Sequence, residues 1–215
     1  MSTLCDFLKK DYPSHFRITW DDNTMQIRKE CPASVVFEIR DQQPTIVQPA
    51  GKGVSVIRKK DYSVEIVDFE AYCKTIHGKD NSPSCCDFII SANSPNDDKK
   101  YIVLNELTNT ESKYILPFAQ SATGAQQIGK LAYAKRQLEA TIERIYEVGN
   151  VLDSYDKKVA LFSCRLSDKK GVHPMTKSAR QFSRPIMKLE KMKLHETLPH
   201  GFEFVMRVYN KEYEL

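Results

Sequence analysis

Of the 215 residues, 41% are hydrophobic and 28% are charged, and the formal net charge is +4. These values are ordinary for a soluble globular domain, and a chain of this length can bury a sizeable core without disulfides. No apolar run approaches the roughly 18 residues that a membrane span needs. The mild positive charge does not by itself indicate nucleic acid.

The cysteines form no recognisable site in the sequence. They are Cys5, Cys31, Cys73, Cys85, Cys86 and Cys164. Because none of them forms a CxxC pair, neither a zinc site nor a disulfide framework is indicated. The N-terminus also lacks the apolar core of a secretory signal. We therefore expect a reduced, cytoplasmic protein without a membrane partner.

The first 78 residues read as an N-terminal β-rich region. Residues 1–12 favour a short amphipathic helix, since Leu4 and Leu8 share one face. Short apolar alternations broken by turn residues then predict an antiparallel sheet. The predicted strands are 16–20, 24–28, 34–40, 45–48 and 53–58. A helix is predicted over 67–76, although its first residues also suit a strand.

Residues 79–215 are predicted to form a second region with the element order β-β-α-β. Two apolar runs, 86–91 and 101–107, flank a Pro/Asn/Asp-rich loop and predict a β-hairpin. A helix follows over 124–148, because apolar residues recur there at steps of three and four. Strands are predicted at 158–165 and 201–209. The predicted fold is α+β or α/β with a mixed sheet.

The hairpin carries one acid in each strand. Asp87 opens the first strand and Glu106 closes the second, so antiparallel pairing would bring the two carboxylates together at one end of the sheet. Ionised carboxylates are rare in apolar strands unless they are paired, hydrogen-bonded or metal-bound. Two converging carboxylates suit Mg²⁺, which prefers oxygen ligands. The alternative is that Asp87 makes a turn or an ion pair and that Glu106 is exposed.

Residues 80–165 resemble the PD-(D/E)xK superfamily of restriction-endonuclease-like nucleases. The resemblance lies in C-D-F-I-I, a short polar loop, Y-I-V-L-N-E-L and a helix carrying Gln137-Leu138. It implies that Asp87 and Glu106 are catalytic ligands of Mg²⁺, for which Mn²⁺ can substitute. It also implies that Gln137 supports the positioning of substrate or metal-bound water. Small stand-alone proteins resembling this superfamily often belong to prokaryotic defence against mobile DNA, including antiviral systems.

The chain departs from this family at one position. The lysine that the family places two residues after the glutamate is Thr108 here. Some members relocate this lysine to the helix or a neighbouring loop, which makes Lys113 or Lys130 the candidate substitute. The resemblance thus leaves two functions open. One is a metal-dependent hydrolase acting on nucleic acid, and the other is a catalytically inactive member that binds nucleic acid or protein.

Residues 169–193 hold eight lysines and arginines against one acid. Clustered basic residues bind phosphate backbones by releasing counterions, although such clusters also serve only as solvated surfaces. We expect nucleic acid as the partner, DNA rather than RNA, and a protein partner or homodimer stays open. The predicted contact residues are Lys169, Lys170, Lys177, Arg180, Arg184 and Lys188.

Overall fold

The computed structural model describes residues 3–93, 99–119, 124–166, 196–209 and 211–215. The helices are α1 (Leu4–Lys9), α2 (Asp11–His15), α3 (Phe69–His77) and α4 (Gly129–Val148). The first strands are β1 (Lys29–Glu30), β2 (Val36–Ile39), β3 (Val47–Gln48), β4 (Ser55–Arg58) and β5 (Ser63–Asp68). The next are β6 (Phe88–Asn93), β7 (Lys100–Thr110), β8 (Phe118–Ala119) and β9 (Gln126–Gln127). The last are β10 (Lys157–Leu166), β11 (Glu196–Leu198), β12 (Phe202–Val208) and β13 (Tyr213–Glu214).

A seven-stranded mixed sheet organises the described residues, in the order β1-β5-β6-β7-β10-β12-β11. Strands β7, β10 and β12 run parallel, while β5, β6 and β7 pair antiparallel. Six consecutive residues of β10, from Val159 to Cys164, are buried. A continuous buried run is typical of a strand that is covered on both faces of its sheet. The fold is therefore α+β with mixed sheets.

The two faces of this sheet have different covers. All four helices contribute buried residues to the core on one face. On the other face, a smaller sheet in the order β13-β4-β2-β3 contributes to a second core. Along β7, Leu104 belongs to the helix-covered core and Val103 to the other, as expected for alternating strand residues. Polar residues of β7 that lie an even number of positions from Leu104 therefore face the helices.

Strands β6 and β7 confirm the predicted hairpin. They pair antiparallel, with Phe88 opposite Asn105 and Asn93 opposite Lys100. The loop tip, residues 94–98, lies outside the described residues. The hairpin forms because both strands are rich in residues that favour extended backbone and are buried on both faces.

Helix α4 is shorter than the sequence predicts. It begins at Gly129 rather than near residue 124, because Gln126 and Gln127 pair with β8 as strand β9. Gly129 has φ +79, and a Cβ there would lie 2.5 Å from the carbonyl carbon of Leu116. Only glycine tolerates this backbone conformation together with such a close approach. The start of α4 is therefore fixed against the preceding loop.

Two of the predicted N-terminal strands, 16–20 and 24–28, are wrong. Neither segment is a strand in the structure. The apolar residues Ile18, Trp20 and Ile27 instead pack against the helix-covered core. Between them, Asp21 accepts hydrogen bonds from Asn23 and Thr24, which closes a turn without strand pairing. Their hydrophobic pattern reflects packing against the helix-covered core and not a sheet register.

The predicted boundary near residue 78 is crossed by both sheets. Strands β1 and β5 from the first region belong to the seven-stranded sheet, while β13 from the end of the chain pairs with β4. Separate domains with this boundary stay a prediction. Within the described ranges, no helix is both long enough and apolar enough to cross a membrane.

Candidate functional site

Asp87 and Glu106 lie side by side on the helix-covered face of the seven-stranded sheet. Asp87 immediately precedes β6, and its carboxylate accepts a hydrogen bond of 2.7 Å from the backbone N–H of Leu107. The backbone N–H of Asp87 in turn hydrogen-bonds the carboxylate of Glu106. Glu106 is only 8% exposed. The structure thus brings the two acids together and buries the one that the alternative interpretation leaves in solvent.

Two further acids join them in a cavity of about 200 Å³. Glu70 lies in the first turn of α3, and the backbone N–H groups of Phe69 and Glu70 both donate to the carbonyl oxygen of Asp87. Asp41 comes from the segment after β2. The cavity wall therefore combines four carboxyl groups, two of which come from the predicted N-terminal region, residues 1–78.

Helix α4 supplies the opposite wall. Lys130, Tyr133, Ala134 and Gln137 all line the cavity, at the spacing that places residues on one face of a helix. The Gln137 side-chain Nε2 donates to the carbonyl oxygen of Cys85 at 3.2 Å. These contacts hold α4 against the residues that lead into Asp87.

A second hydrogen bond, deeper in the core, also joins α4 to the segment before Asp87. The hydroxyl oxygen of Thr141, one turn after Gln137, accepts a hydrogen bond of 2.8 Å from the backbone N–H of Cys86. The same hydroxyl donates to the carbonyl oxygen of Gln137. Thr141 is fully buried. Because the Cys86 N–H is not paired within a strand, this hydroxyl satisfies a buried backbone donor that would otherwise be costly.

Within the described ranges, two buried polar atoms of cavity-lining residues lack a hydrogen-bond partner. They are Glu106 Oε2 and Gln137 Oε1, both buried and both belonging to residues that line the cavity. Burying a polar oxygen without a partner costs free energy. Unpaired buried polar groups in a native structure call for an explanation, such as a bound water or ion. Both atoms are hard oxygen donors, which is the ligand type that Mg²⁺ prefers.

Burial and mutual repulsion raise the pKa values of the two central acids. Burial raises the pKa of Asp87 to about 8, against the lowering effect of the Leu107 N–H, and the charges of Asp41 and Glu70 add to the increase. Burial followed by the charge of Asp87 raises the pKa of Glu106 to about 10. At neutral pH both groups therefore retain protons unless a cation replaces them.

Burial also raises the pKa values of two acids at the edge of the cluster, Asp41 and Asp68. Asp68 differs from the other acids because Arg28 donates to it at 2.7 Å and it also caps α3 through the Ala71 N–H. Asp68 is thus a structural acid that orients the helix bearing Glu70. The Asp68 carboxylate is therefore already paired with Arg28 and the Ala71 N–H.

The structure distinguishes the two candidate lysines by position. Thr108 lines the cavity, and so does the exposed Lys130 at the start of α4. Lys113 is not among the residues that line this cavity. Its ammonium forms a 3.0 Å ion pair with Glu111 and lies 4.6 Å from the ring centroid of Tyr114. Of the two candidates, Lys130 is therefore the one that lines the cavity with the acids.

The residues fit a cation that is held by few protein ligands. In the described part of the chain, no three or more His, Cys, Asp or Glu side chains are already arranged as a metal cage. Mg²⁺ is usually bound through one or two carboxylates, with water and substrate phosphate completing its coordination. Asp87 and Glu106 would supply such ligands, and the free Gln137 oxygen suits a coordinated water. The donor set thus fits Mg²⁺ and does not fit a cage-bound metal.

Sequence reasoning missed Glu70 and Asp41. The helix that carries Glu70 was predicted, but no spacing in the sequence connects it with Asp87. The connection depends on the tertiary contact between the α3 N-terminus and the Asp87 carbonyl. Asp41 lies in a polar turn segment, where an acid is unremarkable in sequence. The six predicted contact residues of the basic segment lie outside the described residues.

Comparisons of the chain with protein-family models, with curated proteins and with solved structures find no match. The chemistry of the cavity is therefore the basis on which a function can be assigned. That chemistry is a cluster of four carboxyl groups beside one lysine, two amides and one tyrosine.

Proposed function

We propose that the protein is a metal-dependent nuclease that hydrolyses nucleic-acid phosphodiesters. Asp87 and Glu106 would hold Mg²⁺, with Mn²⁺ able to substitute. The observation that carries the proposal is the buried Glu106 carboxylate, whose Oε2 has no hydrogen-bond partner among the described residues, on a residue that lines the same cavity as Asp87. A divalent cation would satisfy that oxygen and compensate the repulsion between the acids.

The four carboxyl groups support a cation better than they support a purely structural role. Burial around this cavity destabilises the charged forms of Asp41, Asp87 and Glu106. A structural pair would be expected to have a basic partner, as Asp68 has in Arg28. Asp87 and Glu106 accept backbone N–H groups instead. Clusters with such perturbed pKa values are typical of functional sites.

The protein residues have distinct roles in the proposed reaction. A bound Mg²⁺ would supply Lewis-acid polarisation of the phosphate and a more acidic water. The exposed Lys130 ammonium stabilises negative charge that develops on the phosphate. The free Oε1 of Gln137 accepts a hydrogen bond from the attacking water and orients it. The Asp87–Leu107 and Gln137–Cys85 hydrogen bonds keep these groups in place.

Nucleic acid is the substrate that the sequence favours. The eight lysines and arginines of residues 169–193 give the chain a concentrated positive segment, and such segments bind phosphate backbones. DNA rather than RNA follows from the resemblance to restriction-endonuclease-like proteins, as does a role in prokaryotic defence. A cytoplasmic setting belongs to the same proposal, and all six cysteines are free thiols in the structure.

A second function is favoured by one observation. Thr108 lines the cavity where the resemblance places a catalytic lysine, and a threonine cannot supply positive charge. A catalytically inactive member of the same fold would keep the acids and bind nucleic acid or a partner protein without cleaving it. The two functions differ in one measurable property, which is metal-dependent strand cleavage.

Incubation with plasmid, linear and single-stranded DNA and with RNA tests the proposal. Each substrate is combined with Mg²⁺, Mn²⁺ or EDTA. We expect cleavage that requires metal and is lost in Asp87→Asn and Glu106→Gln. The matched control is Glu65→Gln, which changes an acid near the opposite end of the same sheet. Cleavage that persists in Glu106→Gln would contradict the metal-site assignment, while salt-dependent binding without cleavage would favour the inactive alternative.

A further inference from the structure

The side of α4 that lines the cavity carries a row of three different side chains, Gln137, Tyr133 and Lys130, which is called the stripe below. Gln137 lies at its inner end, tied to the Cys85 carbonyl, and Tyr133 and Lys130 follow toward the helix N-terminus. Residues three or four apart on a helix have Cβ atoms about 5–6 Å apart. The stripe therefore leads from the acids to an aromatic ring and then to an ammonium group, in steps of one helical turn.

Tyr133 is unusual among the aromatic residues of the described part of the chain. It is 50% exposed, and only Val35 and Ile128 among the other large hydrophobic residues described are classed as exposed. Tyrosines such as Tyr12 and Tyr72 are instead fully buried in the core. A ring that lines a polar cavity and keeps half of its surface in solvent offers a flat apolar face to a ligand.

Lys130 completes the pattern on the outer side. Its ammonium lies 5.9 Å from the centroid of the Tyr133 ring, and its side chain is exposed at the cavity wall. The order along the helix is thus a carboxylate site suited to a metal-bound phosphate, then an aromatic face, then a positive charge. Aromatic faces beside positive charge are how proteins bind unpaired strands.

We infer that Tyr133 stacks on an unpaired base next to the phosphate held at Asp87 and Glu106, beside the Lys130 ammonium that the proposed reaction already uses. The inference rests on the proposed function and adds the substrate class, which is a single strand, a frayed end or a loop. In an intact duplex the face of that base is covered by its stacked neighbours, so the ring could engage it only after the base is unstacked. Tyr133 is thereby a specificity-determining residue.

Binding of oligonucleotides that carry 2-aminopurine tests the inference. This base fluoresces more weakly when it stacks, so it reports on the Tyr133 contact itself. The probes are a single strand and its duplex, each measured in EDTA and in Ca²⁺. The variants are Tyr133→Leu, which removes the ring, and Tyr133→Phe, which retains it. The matched control is Tyr62→Leu. Tyr62 precedes the first residue of β5, whereas the cavity lies near the last residue of that strand, about 20 Å away at ordinary strand rise.

We expect the single strand to bind the wild-type protein and Tyr133→Phe with quenched fluorescence. Tyr133→Leu should weaken that binding by about ten-fold and abolish the quenching, since stacking contributes to binding base by base. Tyr62→Leu should resemble the wild type. Duplex binding should respond little to any of these changes. Equal single-strand affinity and equal quenching in Tyr133→Leu would overturn the inference.

The inference and the proposed function fail in distinguishable ways. Metal binding that depends on Glu106, together with fluorescence that is insensitive to Tyr133, would overturn only the stacking role. Quenching that depends on Tyr133 in EDTA, without any metal binding at Glu106, would overturn the nuclease proposal and support a single-strand binding site at the same helix face.

Discussion

The Asp87 carboxylate accepts the backbone N–H of Leu107 at 2.7 Å, directly beside Glu106 in β7. The Glu106 carboxylate in return accepts the backbone N–H of Asp87. Each acid is thus held by the backbone of the strand that carries the other. This reciprocal arrangement places two carboxyl groups together without a basic residue between them, which is a suitable starting point for binding a cation.

Glu106→Gln should make the metal-free protein more stable, and increasingly so as the pH rises. Its folded pKa is about 10, above the ordinary value of 4.5, so the folded state holds a proton that the unfolded state has lost. Stability therefore falls as the pH rises from about 4.5 toward 10. Denaturant unfolding in EDTA at pH 5 and pH 9 should show the advantage of the variant growing by about 5 kcal/mol, since each pH unit in this interval contributes about 1.4 kcal/mol. An advantage that is independent of pH would contradict the raised pKa.

Lys130→Met should reduce strand cleavage by about a hundred-fold, which is the scale seen when one charge-stabilising donor is removed. Lys113→Met should leave cleavage within about two-fold, because Lys113 pairs with Glu111 and does not line the cavity. Initial rates on one substrate at saturating Mg²⁺ check both variants. A larger loss in Lys113→Met than in Lys130→Met would make Lys113 the functional cation.

Thr108→Lys should restore cleavage in a protein that lacks Lys130. Thr108 lines the same cavity as the acids, so a lysine there would place an ammonium group beside them. We expect the double variant Thr108→Lys/Lys130→Met to recover at least about ten-fold over Lys130→Met alone, a fraction of what one such group supplies. Thr108→Met in the same background controls for side-chain volume. Equal rates for the two double variants would show that charge at this position is irrelevant.

Thr141→Val should destabilise the protein by about 1–3 kcal/mol, the cost of leaving a buried donor unsatisfied. The lost contact is the 2.8 Å hydrogen bond from the Cys86 N–H to the Thr141 hydroxyl. Thermal or denaturant unfolding measures the change. Thr75→Val is a suitable control, because the exposed Thr75 hydroxyl bonds only to a helical carbonyl. Equal stability of the two variants would contradict a supporting role for Thr141.

The sequence predicts the central hairpin and α4 because both follow local rules. Alternating apolar residues and a turn-forming loop define β6 and β7, and the antiparallel register alone brings Asp87 next to Glu106. The same reasoning fails for 16–28, where Ile18 and Trp20 have the spacing of strand residues but pack against the helix-covered core without pairing in a sheet. A pattern of buried residues does not state which kind of layer buries them.

The rest of the site depends on contacts between distant segments. Glu70 approaches Asp87 only because the α3 N-terminus binds the Asp87 carbonyl, and no periodicity encodes that contact. The choice between Lys113 and Lys130 is likewise beyond sequence, since it depends on how the loop before Gly129 packs. The free oxygen atoms of Glu106 and Gln137 are a property of the folded cavity alone.

Titration of metal-free protein with Mg²⁺ by calorimetry, with Mn²⁺ as a second ion, tests the central claim most directly. We predict saturable binding to the wild type, which weakens by about ten-fold or more in Glu106→Gln, as expected when a direct ligand is lost. Glu65→Gln should bind as the wild type does. Affinity that is unchanged in Glu106→Gln, or no saturable binding to the wild type, would contradict a cation site at Asp87 and Glu106.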